Sequence, residues 1–237
     1  MLITFEDRPT DSPFIERVWR SRSERAGVFT SIAACHWEMV VTRLHGQTSL
    51  TVRGPETVAT AADLPAEGEW FAIRFKLGTF MPELRPGFLR DLNSVTLPAA
   101  TQRSFRLHGA SWEYPDFDNA EIFVRRLVRA GLILVDPTVA GVLRNEPPAL
   151  SARSLERKFR QVTGLTLGTI RQIERARHAT RLLRSGRPLL DAGYDAGYYD
   201  QAHFTRSLKR FIGQTPAQVI AAQQQLSFLY NPQPASF

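Results

Sequence analysis

Over the first hundred positions, the pattern of hydrophobic and polar residues is that of a β-rich region. Short runs rich in β-branched and aromatic residues are separated by turn signals such as His45-Gly46. Within the run 69–80, one face is apolar and the other is polar or small, which predicts a strand buried on one face only. The apolar face consists of Phe71, Ile73, Phe75 and Leu77. The predicted strands cover residues 31–44, 47–54, 69–80, 94–99 and 103–109.

From Asn119 onwards, the spacing of the apolar residues changes to that of an α-helix. A second helical stretch begins at Thr138 and stops before Pro147-Pro148, because proline lacks the amide hydrogen that a helix interior needs. Beyond this pair, the predicted helices cover residues 152–162, 168–185, 188–196, 201–211 and 216–225.

The two periods predict an α+β protein that is divided into two domains. A β-rich domain, sandwich-like or barrel-like, occupies residues 1–112, and an all-α domain occupies residues 132–222. Residues 113–131 are expected to connect them through a helix, and residues 223–237 form a tail. The apolar stretch 225–230 in this tail is expected to dock on the N-terminal domain or on a second subunit.

Positive charge is concentrated in the last third of the chain. The 237 residues carry a net charge of +7, and residues 148–237 hold 13 basic and 5 acidic groups. Most of these basic residues are arginines, whose planar guanidinium group suits phosphates and guanine edges. Charge alone does not separate a nucleic-acid-binding surface from an ordinary solvated basic surface.

The composition argues against several classes of protein. With 43% apolar residues, the chain has enough hydrophobic material for folded cores. No apolar run reaches the roughly 18 residues of a membrane span, and the N-terminus lacks a secretory pattern, so we expect a cytoplasmic protein without a membrane partner. No metal-ligand spacing is found among the single cysteine and the scattered histidines, which are Cys35, His36, His45 and His108. Cys35 is expected to be buried. Neither a metal nor another cofactor is therefore expected.

Two segments of the helical region share one pattern: LSARSLERKFRQVTG (150–164) and YDQAHFTRSLKRFIG (199–213). Each begins with a helix N-cap residue, Ser151 or Asp200, and ends at a glycine that suits a left-handed helix end. Each follows a shorter helical stretch. The pattern therefore predicts a helix-turn-helix unit that occurs twice, with arginine-rich outer faces on both second helices.

The segment between the two units predicts one long helix. Its apolar residues follow helical spacing, and roughly 17 residues would form a rod of about 25 Å. Such a rod could hold two recognition helices about one duplex turn apart, roughly 34 Å. The apolar stripe consists of Ile170, Ile173, Ala176, Ala179 or Thr180, and Leu183.

Both units resemble the AraC/XylS family of bacterial transcription regulators. Residues 197–219, GYYDQAHFTRSLKRFIGQTPAQV, are similar to the family signature of the second unit, and LSARSLERKFRQVTGLT resembles that of the first. The resemblance spans about residues 132–222. It implies a double helix-turn-helix domain that binds double-stranded DNA, preceded by a cupin-like domain that senses a small molecule or forms dimers. RNA polymerase, an unknown effector and a second copy of the chain are further partners that the resemblance allows.

The resemblance also implies which side chains contact DNA. The base-reading positions fall on Arg153, Glu156, Arg157, Gln201, Ala202, His203 and Arg206. The phosphate-contacting positions fall on Arg160, Thr205, Lys209 and Arg210. No catalytic residues are implied.

Three features depart from the family pattern. The first turn contains Glu146-Pro147-Pro148-Ala149 where the family keeps a tighter, glycine-containing turn, so the first unit could dock differently or read fewer bases. In the second scaffold helix, Ala192 and Gly193 stand where the family favours a branched apolar residue and alanine. Gly193 costs about 1 kcal/mol of helix propensity but lets two helices approach closely. Leu208 replaces a phenylalanine.

The N-terminal aromatic residues have two interpretations. Trp37, Trp70, Phe71 and Phe75 could line a ligand pocket, although a hydrophobic core needs the same residues and is favoured. For the whole chain, we expect a sequence-specific transcription regulator. The alternatives are a non-specific architectural DNA-binding protein and, least favoured, an enzyme with a basic surface. No catalytic Ser-His-Asp order, phosphate-binding glycine loop or paired carboxylates support an enzyme.

Overall fold

The computed structural model describes residues 3–91, 94–146 and 149–221 and confirms the α+β class. Pro147-Pro148 and the tail 223–237 lie outside the described residues. The strands are β1 (Ile3–Pro9), β2 (Ile15–Ser23), β3 (Gly27–Ser31), β4 (Glu38–Leu44), β5 (Gln47–Arg53), β6 (Thr60–Leu64), β7 (Glu69–Phe75), β8 (Thr79–Phe80), β9 (Val95–Leu97), β10 (Ala99–Thr101), β11 (Ser104–Leu107), β12 (Ala110–Glu113) and β13 (Leu134–Val135). The helices are α1 (Ala120–Arg129), α2 (Pro137–Leu143), α3 (Ala152–Thr163), α4 (Leu167–Arg184), α5 (Leu189–Asp195), α6 (Gln201–Phe211) and α7 (Pro216–Ala221).

The contacts divide the chain into two compact units. Unit 1 comprises Met1–Gly27, His36–Pro55 and Leu64–Leu165, and therefore contains helices α1 to α3. Unit 2 comprises Val28–Cys35, Glu56–Asp63 and Thr166–Phe237, and contains helices α4 to α7. Two short segments from the N-terminal region thus belong to the helical unit.

A six-stranded antiparallel sheet with the order β1-β2-β7-β4-β5-β9 dominates unit 1. Strands β1 and β2 were not predicted from the sequence, because charged residues occupy much of both strands. These charges pair across the strands: Arg17 binds Asp7, and Arg20 lies 2.6 Å from Glu6. Cross-strand ion pairs of this kind support a sheet without leaving an apolar signal in the sequence.

The predicted strand 31–44 is wrong in its first half. Strand β4 begins only at Glu38. Residues 31–35 are buried in unit 2 instead, where the backbone amide of Ala33 donates to the carbonyl of Phe211 at the end of a helix. Because this amide bonds to a helix end, it is not available for a strand ladder.

Strand β7 is buried on both faces, which corrects the prediction of a half-buried strand. Ala72 and Arg74 on the expected polar face are buried, as are Phe71, Ile73 and Phe75 on the apolar face. On that polar face Arg74 Nε lies 2.6 Å from Glu38 Oε1, and both side chains are less than a tenth exposed. An ion pair replaces the expected contact with water.

The hydrophobic core of unit 1 lies between the sheet and helix α1. Trp37 stacks on Phe75 with ring centroids 3.9 Å apart, and its indole nitrogen donates to the carbonyl of Thr79 at 2.6 Å. From α1, Phe123 and Leu127 enter the same cluster. The indole N–H is satisfied within the core, as a buried tryptophan requires.

Helix α1 is bound to strand β1 by a two-pronged ion pair. The guanidinium group of Arg8 donates to both carboxylate oxygens of Glu121, at 2.6 and 3.0 Å. These hydrogen bonds lower the pKa of Glu121 from 4.5 to about 2, because they favour its ionised form.

Removing one member of the buried pair should destabilise unit 1. We expect Arg74→Met to lower the free energy of unfolding by about 3–5 kcal/mol, because Glu38 would remain buried without its guanidinium partner. The double variant Arg74→Met/Glu38→Leu should recover most of this loss in urea titrations followed by tryptophan fluorescence. Arg22→Met, which breaks an exposed pair with Glu69, should cost less than about 1 kcal/mol. Equal losses in the single and double variants would contradict this explanation.

The Arg8–Glu121 pair should make the free energy of unfolding depend on pH in the acidic range. Since the folded-state pKa of Glu121 is depressed, its contribution is present above about pH 4.5 and is lost as the pH falls towards 2. Glu121→Gln should therefore be less stable than the wild type at pH 7, with the difference shrinking between pH 5 and pH 2 in urea titrations. Arg8→Met should behave alike, and an unchanged difference across this range would disprove the assignment.

Candidate nucleic-acid interface

Helix α3 presents one apolar and one charged face. Its N-cap is Ser151, whose hydroxyl accepts the amide hydrogen of Ser154, as predicted. Phe159 and Val162 are buried beneath the helix. The predicted DNA-contacting residues of this helix are all exposed; they are Arg153, Glu156, Arg157 and Arg160.

One ion pair and one close backbone contact hold α3 in unit 1. Asp136 caps helix α2 by accepting the amide hydrogen of Val139, and its other carboxylate oxygen lies 2.7 Å from Lys158 Nζ on α3. At the end of α3, Gly164 adopts φ 76°, and a Cβ atom there would lie 2.8 Å from the backbone of Gly87. Only glycine satisfies both requirements.

Helix α4 confirms the predicted linker helix. It has 18 residues, which corresponds to about 27 Å at 1.5 Å per residue. All residues of the predicted apolar stripe are buried, namely Ile170, Ile173, Ala176, Ala179, Thr180 and Leu183. Arg177 is buried among them, which the hydrophobic pattern did not predict.

Helix α6 has the same features as α3, namely a side-chain N-cap, a buried apolar face and an exposed polar face. Asp200 is its N-cap and accepts the amide hydrogen of His203 at 2.6 Å, as predicted. Phe204, Leu208 and Phe211 are buried. Thr205 is half-buried, and the other predicted DNA-contacting residues are exposed: Gln201, Ala202, His203, Arg206, Lys209 and Arg210.

The exposed cations fall into two groups. Arg160 is paired with Glu156 at 2.7 Å, and Lys209 donates to the carbonyl of Gly213 at 3.2 Å. Arg157 and Arg206, by contrast, make no ion pair among the described residues. Their guanidinium groups are therefore available to a ligand without breaking an existing contact.

The glycine that departs from the family pattern lets helices α5 and α6 pack closely. A Cβ atom at Gly193 would lie 3.0 Å from Cδ1 of Phe204. Beside this contact, the ring of Tyr198 stacks on Phe204 at 4.9 Å, and its hydroxyl lies 2.7 Å from Ser207 Oγ. The close approach anticipated from the sequence is present.

Two segments that contact α6 were not predicted from the sequence. The amide of Ala33 donates to the carbonyl of Phe211, and the amide of Ala59 donates to that of Arg210, both at 2.8 Å. The available signal was the fully apolar run 32–35, which was interpreted as part of a strand. Cys35 is buried there, as expected.

The aromatic residues of the predicted N-terminal pocket separate in the structure. Trp70 and Phe71 line a groove of about 690 Å³ in unit 1, which is also bordered by Arg20, Arg43 and Phe117. Trp37 and Phe75 are stacked in the core and do not line this groove. Within residues 3–91, 94–146 and 149–221, no three His, Cys, Asp or Glu side chains converge as a metal site requires. None of the described helices has the sustained apolar stretch that a bilayer crossing needs.

The helical region matches a known family model, that of a helix-turn-helix domain, over residues 149–222. This range covers α3 to α7. Residues 149–222 form an AraC-type helix-turn-helix domain. The match is consistent with the AraC/XylS family and supports a DNA-binding transcription regulator. Comparisons with curated proteins and with solved structures found no match.

Substitutions at Gly193 should reveal how tightly α5 packs on α6. Gly193→Ala should change the free energy of unfolding by less than about 1 kcal/mol, because its gain in helix propensity is offset by crowding of Phe204. Gly193→Val should cost about 1–3 kcal/mol, since its methyl groups overpack the same ring. Gly168→Ala in α4 is the control: its Cβ would meet only Thr166 Oγ1, at 3.7 Å, so mild stabilisation is expected. Urea titrations that find Gly193→Val neutral would refute the tight contact.

Proposed function

We propose that this chain is a sequence-specific transcription regulator whose helices α3 and α6 read adjacent major-groove segments of DNA. The observation that carries the proposal is the two-faced character of both helices within a helix-turn-helix domain. Each buries an aromatic residue, Phe159 or Phe204, and exposes an arginine, Arg157 or Arg206, that has no ion pair within the described part of the chain.

The exposed side chains fit particular base edges. An arginine such as Arg157 or Arg206 can donate two hydrogen bonds to O6 and N7 of guanine. Gln201 can pair with adenine in the same two-pronged manner, and Glu156 can accept a hydrogen bond from N4 of cytosine. Together with Arg153, Ala202 and His203, these residues are the proposed base readers.

The remaining cations suit the phosphate backbone. Arg160, Lys209 and Arg210, with the hydroxyl of Thr205, are proposed to contact phosphates and to supply affinity that falls as salt rises. Arg160 would exchange Glu156 for a phosphate, and Lys209 would release the carbonyl of Gly213. Releasing Glu156 in this way would free its carboxylate for a base.

Two exposed residues on the proposed DNA-facing helices carry no positive charge, and they favour sequence-specific binding over architectural binding. A protein that binds only through phosphates gains nothing from Glu156 or Gln201 on its DNA-facing helices. Glu156 would repel the backbone, so its position on the outer face of α3 supports base reading.

The β-rich part of the chain is proposed to control this activity. The groove beside Phe71 is of a size that small ligands occupy, and binding there or formation of a dimer are the two proposed inputs. RNA polymerase is the proposed downstream partner. A ligand would act only through different affinities for two states of the protein.

Selection from a random duplex library tests the proposal. The purified full chain at physiological salt should enrich a motif with two blocks about one helical turn, roughly 10 base pairs, apart. Arg157→Ala should relax selection in one block and Arg206→Ala in the other. Each should cost about 1–3 kcal/mol of discrimination, roughly 5- to 150-fold, because a two-pronged contact with a base is lost.

The exposed Arg129 on α1 supplies the control, since Arg129→Ala removes one charge outside the proposed interface. It should leave both blocks unchanged. Binding that enriches no motif and vanishes as salt rises would favour the architectural alternative. A motif in which only Arg206→Ala has an effect would show that the first unit reads no bases.

A further inference from the structure

The C-terminal end of α6 is buried and needs hydrogen-bond donors. The last carbonyl groups of any α-helix have no partner within the helix, and burial makes an unpaired carbonyl costly. In unit 2 the amides of Ala33 and Ala59 supply donors to the carbonyls of Phe211 and Arg210. Ala33 precedes its acceptor Phe211 by 178 positions in the sequence, and Ala59 precedes its acceptor Arg210 by 151 positions.

These two segments form one structural piece, which we call the clamp: residues 28–35 and 56–63. Strands β3 and β6 pair within it, and Ala34 and Glu56 exchange two backbone hydrogen bonds of 2.9 Å. The hydroxyl of Ser31 donates to the carboxylate of Glu56 at 2.7 Å. The clamp is thus held together by its own contacts.

The clamp also binds helix α4. Arg177 is buried, and its guanidinium group donates to the carbonyl of Ala33 at 3.1 Å. The amide and the carbonyl of Ala33 therefore bond to different helices, the amide to α6 and the carbonyl to α4. One residue of the clamp links the linker helix to the recognition helix.

The turn after α6 is packed directly against the clamp. Gly213 has φ 79°, and a Cβ atom there would lie 3.0 Å from Cγ2 of Thr30 and 3.2 Å from Cβ of Ala59. This contact leaves no room for α6 to slide towards the clamp. The C-terminal end of the helix is fixed by hydrogen bonds and by packing.

We propose that the clamp positions α6 for reading bases, and that Arg177 is the positioning residue that holds the clamp on α4. This inference rests on the proposed function. Helix α6 is about 16 Å long, so a tilt of 10° about its clamped end would move Gln201 by about 3 Å. Hydrogen bonds to base edges do not survive such a displacement.

The chain connects the clamp directly to the sheet of unit 1. The two clamp segments flank residues 36–55, which carry strands β4 and β5. Each clamp segment is therefore joined through the backbone to this part of unit 1, at Cys35–His36 and at Pro55–Glu56.

The test compares two arginines of α4 in the full chain. Arg177→Met removes the bond to the clamp, and Arg171→Met removes the same charge from an exposed position on the same helix. Ser31→Ala loosens the clamp without altering any helix. Circular dichroism first establishes that each variant is folded at the assay temperature. Affinities are then measured for the selected duplex and for duplexes with either block replaced.

Positioning predicts an effect confined to one block. In Arg177→Met, the preference for the selected block read by α6 over its replacement should fall about tenfold, while the preference at the other block is unaffected. A tenfold loss is about the effect of one mismatched base pair. Ser31→Ala should shift the same block by about threefold. Arg171→Met should weaken binding to all duplexes equally. Hydrogen exchange of the α6 amides should be faster in Arg177→Met than in Arg171→Met.

Three results would overturn the proposal. Equal loss of affinity for all duplexes in Arg177→Met would mean that the clamp sets only the folded fraction. The same change in Arg171→Met would assign the effect to charge. If the wild type selects no motif, the proposed function fails. Hydrogen exchange then tests by itself whether the clamp holds α6. Equal protection of the α6 amides in Arg177→Met and Arg171→Met would contradict that role of the clamp.

Discussion

Unit 2 depends on pairing the buried carbonyl groups at the end of α6. Asp200 caps the N-terminal end of α6 from the adjoining residue, whereas the carbonyls of Arg210 and Phe211 at its C-terminal end accept hydrogen bonds from distant amides. The donors are Ala33 and Ala59, so two N-terminal segments lie against α6. Helix α4 contributes Arg177 to the same segments.

In unit 1, the buried group that needs a partner is a charged side chain rather than a backbone carbonyl. The central strand β7 carries Arg74 in a covered position, and the carboxylate of Glu38 on the neighbouring strand compensates it. Lys158 and Asp136 hold helix α3 by a similar contact. In both units, apolar residues predicted from the sequence are buried, among them Phe75 on β7 and Ile173 on α4. Specific polar contacts then hold helices α3 and α6.

The features that the sequence predicted are those determined by neighbouring residues. The N-caps Ser151 and Asp200 and the stripe of α4 depend on spacings of three or four positions. Strands β1 and β2 were missed because their support comes from charges on a partner strand. The clamp was missed because its partners on α4 and α6 are 144 to 178 positions away. Which exposed side chains face DNA is a matter of family resemblance, since exposure alone does not distinguish a ligand site from a solvated surface.

The clamp lies far in sequence from the helices that it contacts, which limits how parts of this chain can be exchanged with parts of a related protein. Ala33 and Arg177 lie 144 positions apart, so a crossover anywhere between them exchanges one partner without the other. A hybrid that joins the N-terminal half of one regulator to the helical half of another must therefore carry a clamp that fits its new helix. The segments 28–35 and 56–63 are inherited as N-terminal sequence but belong structurally to the DNA-binding part.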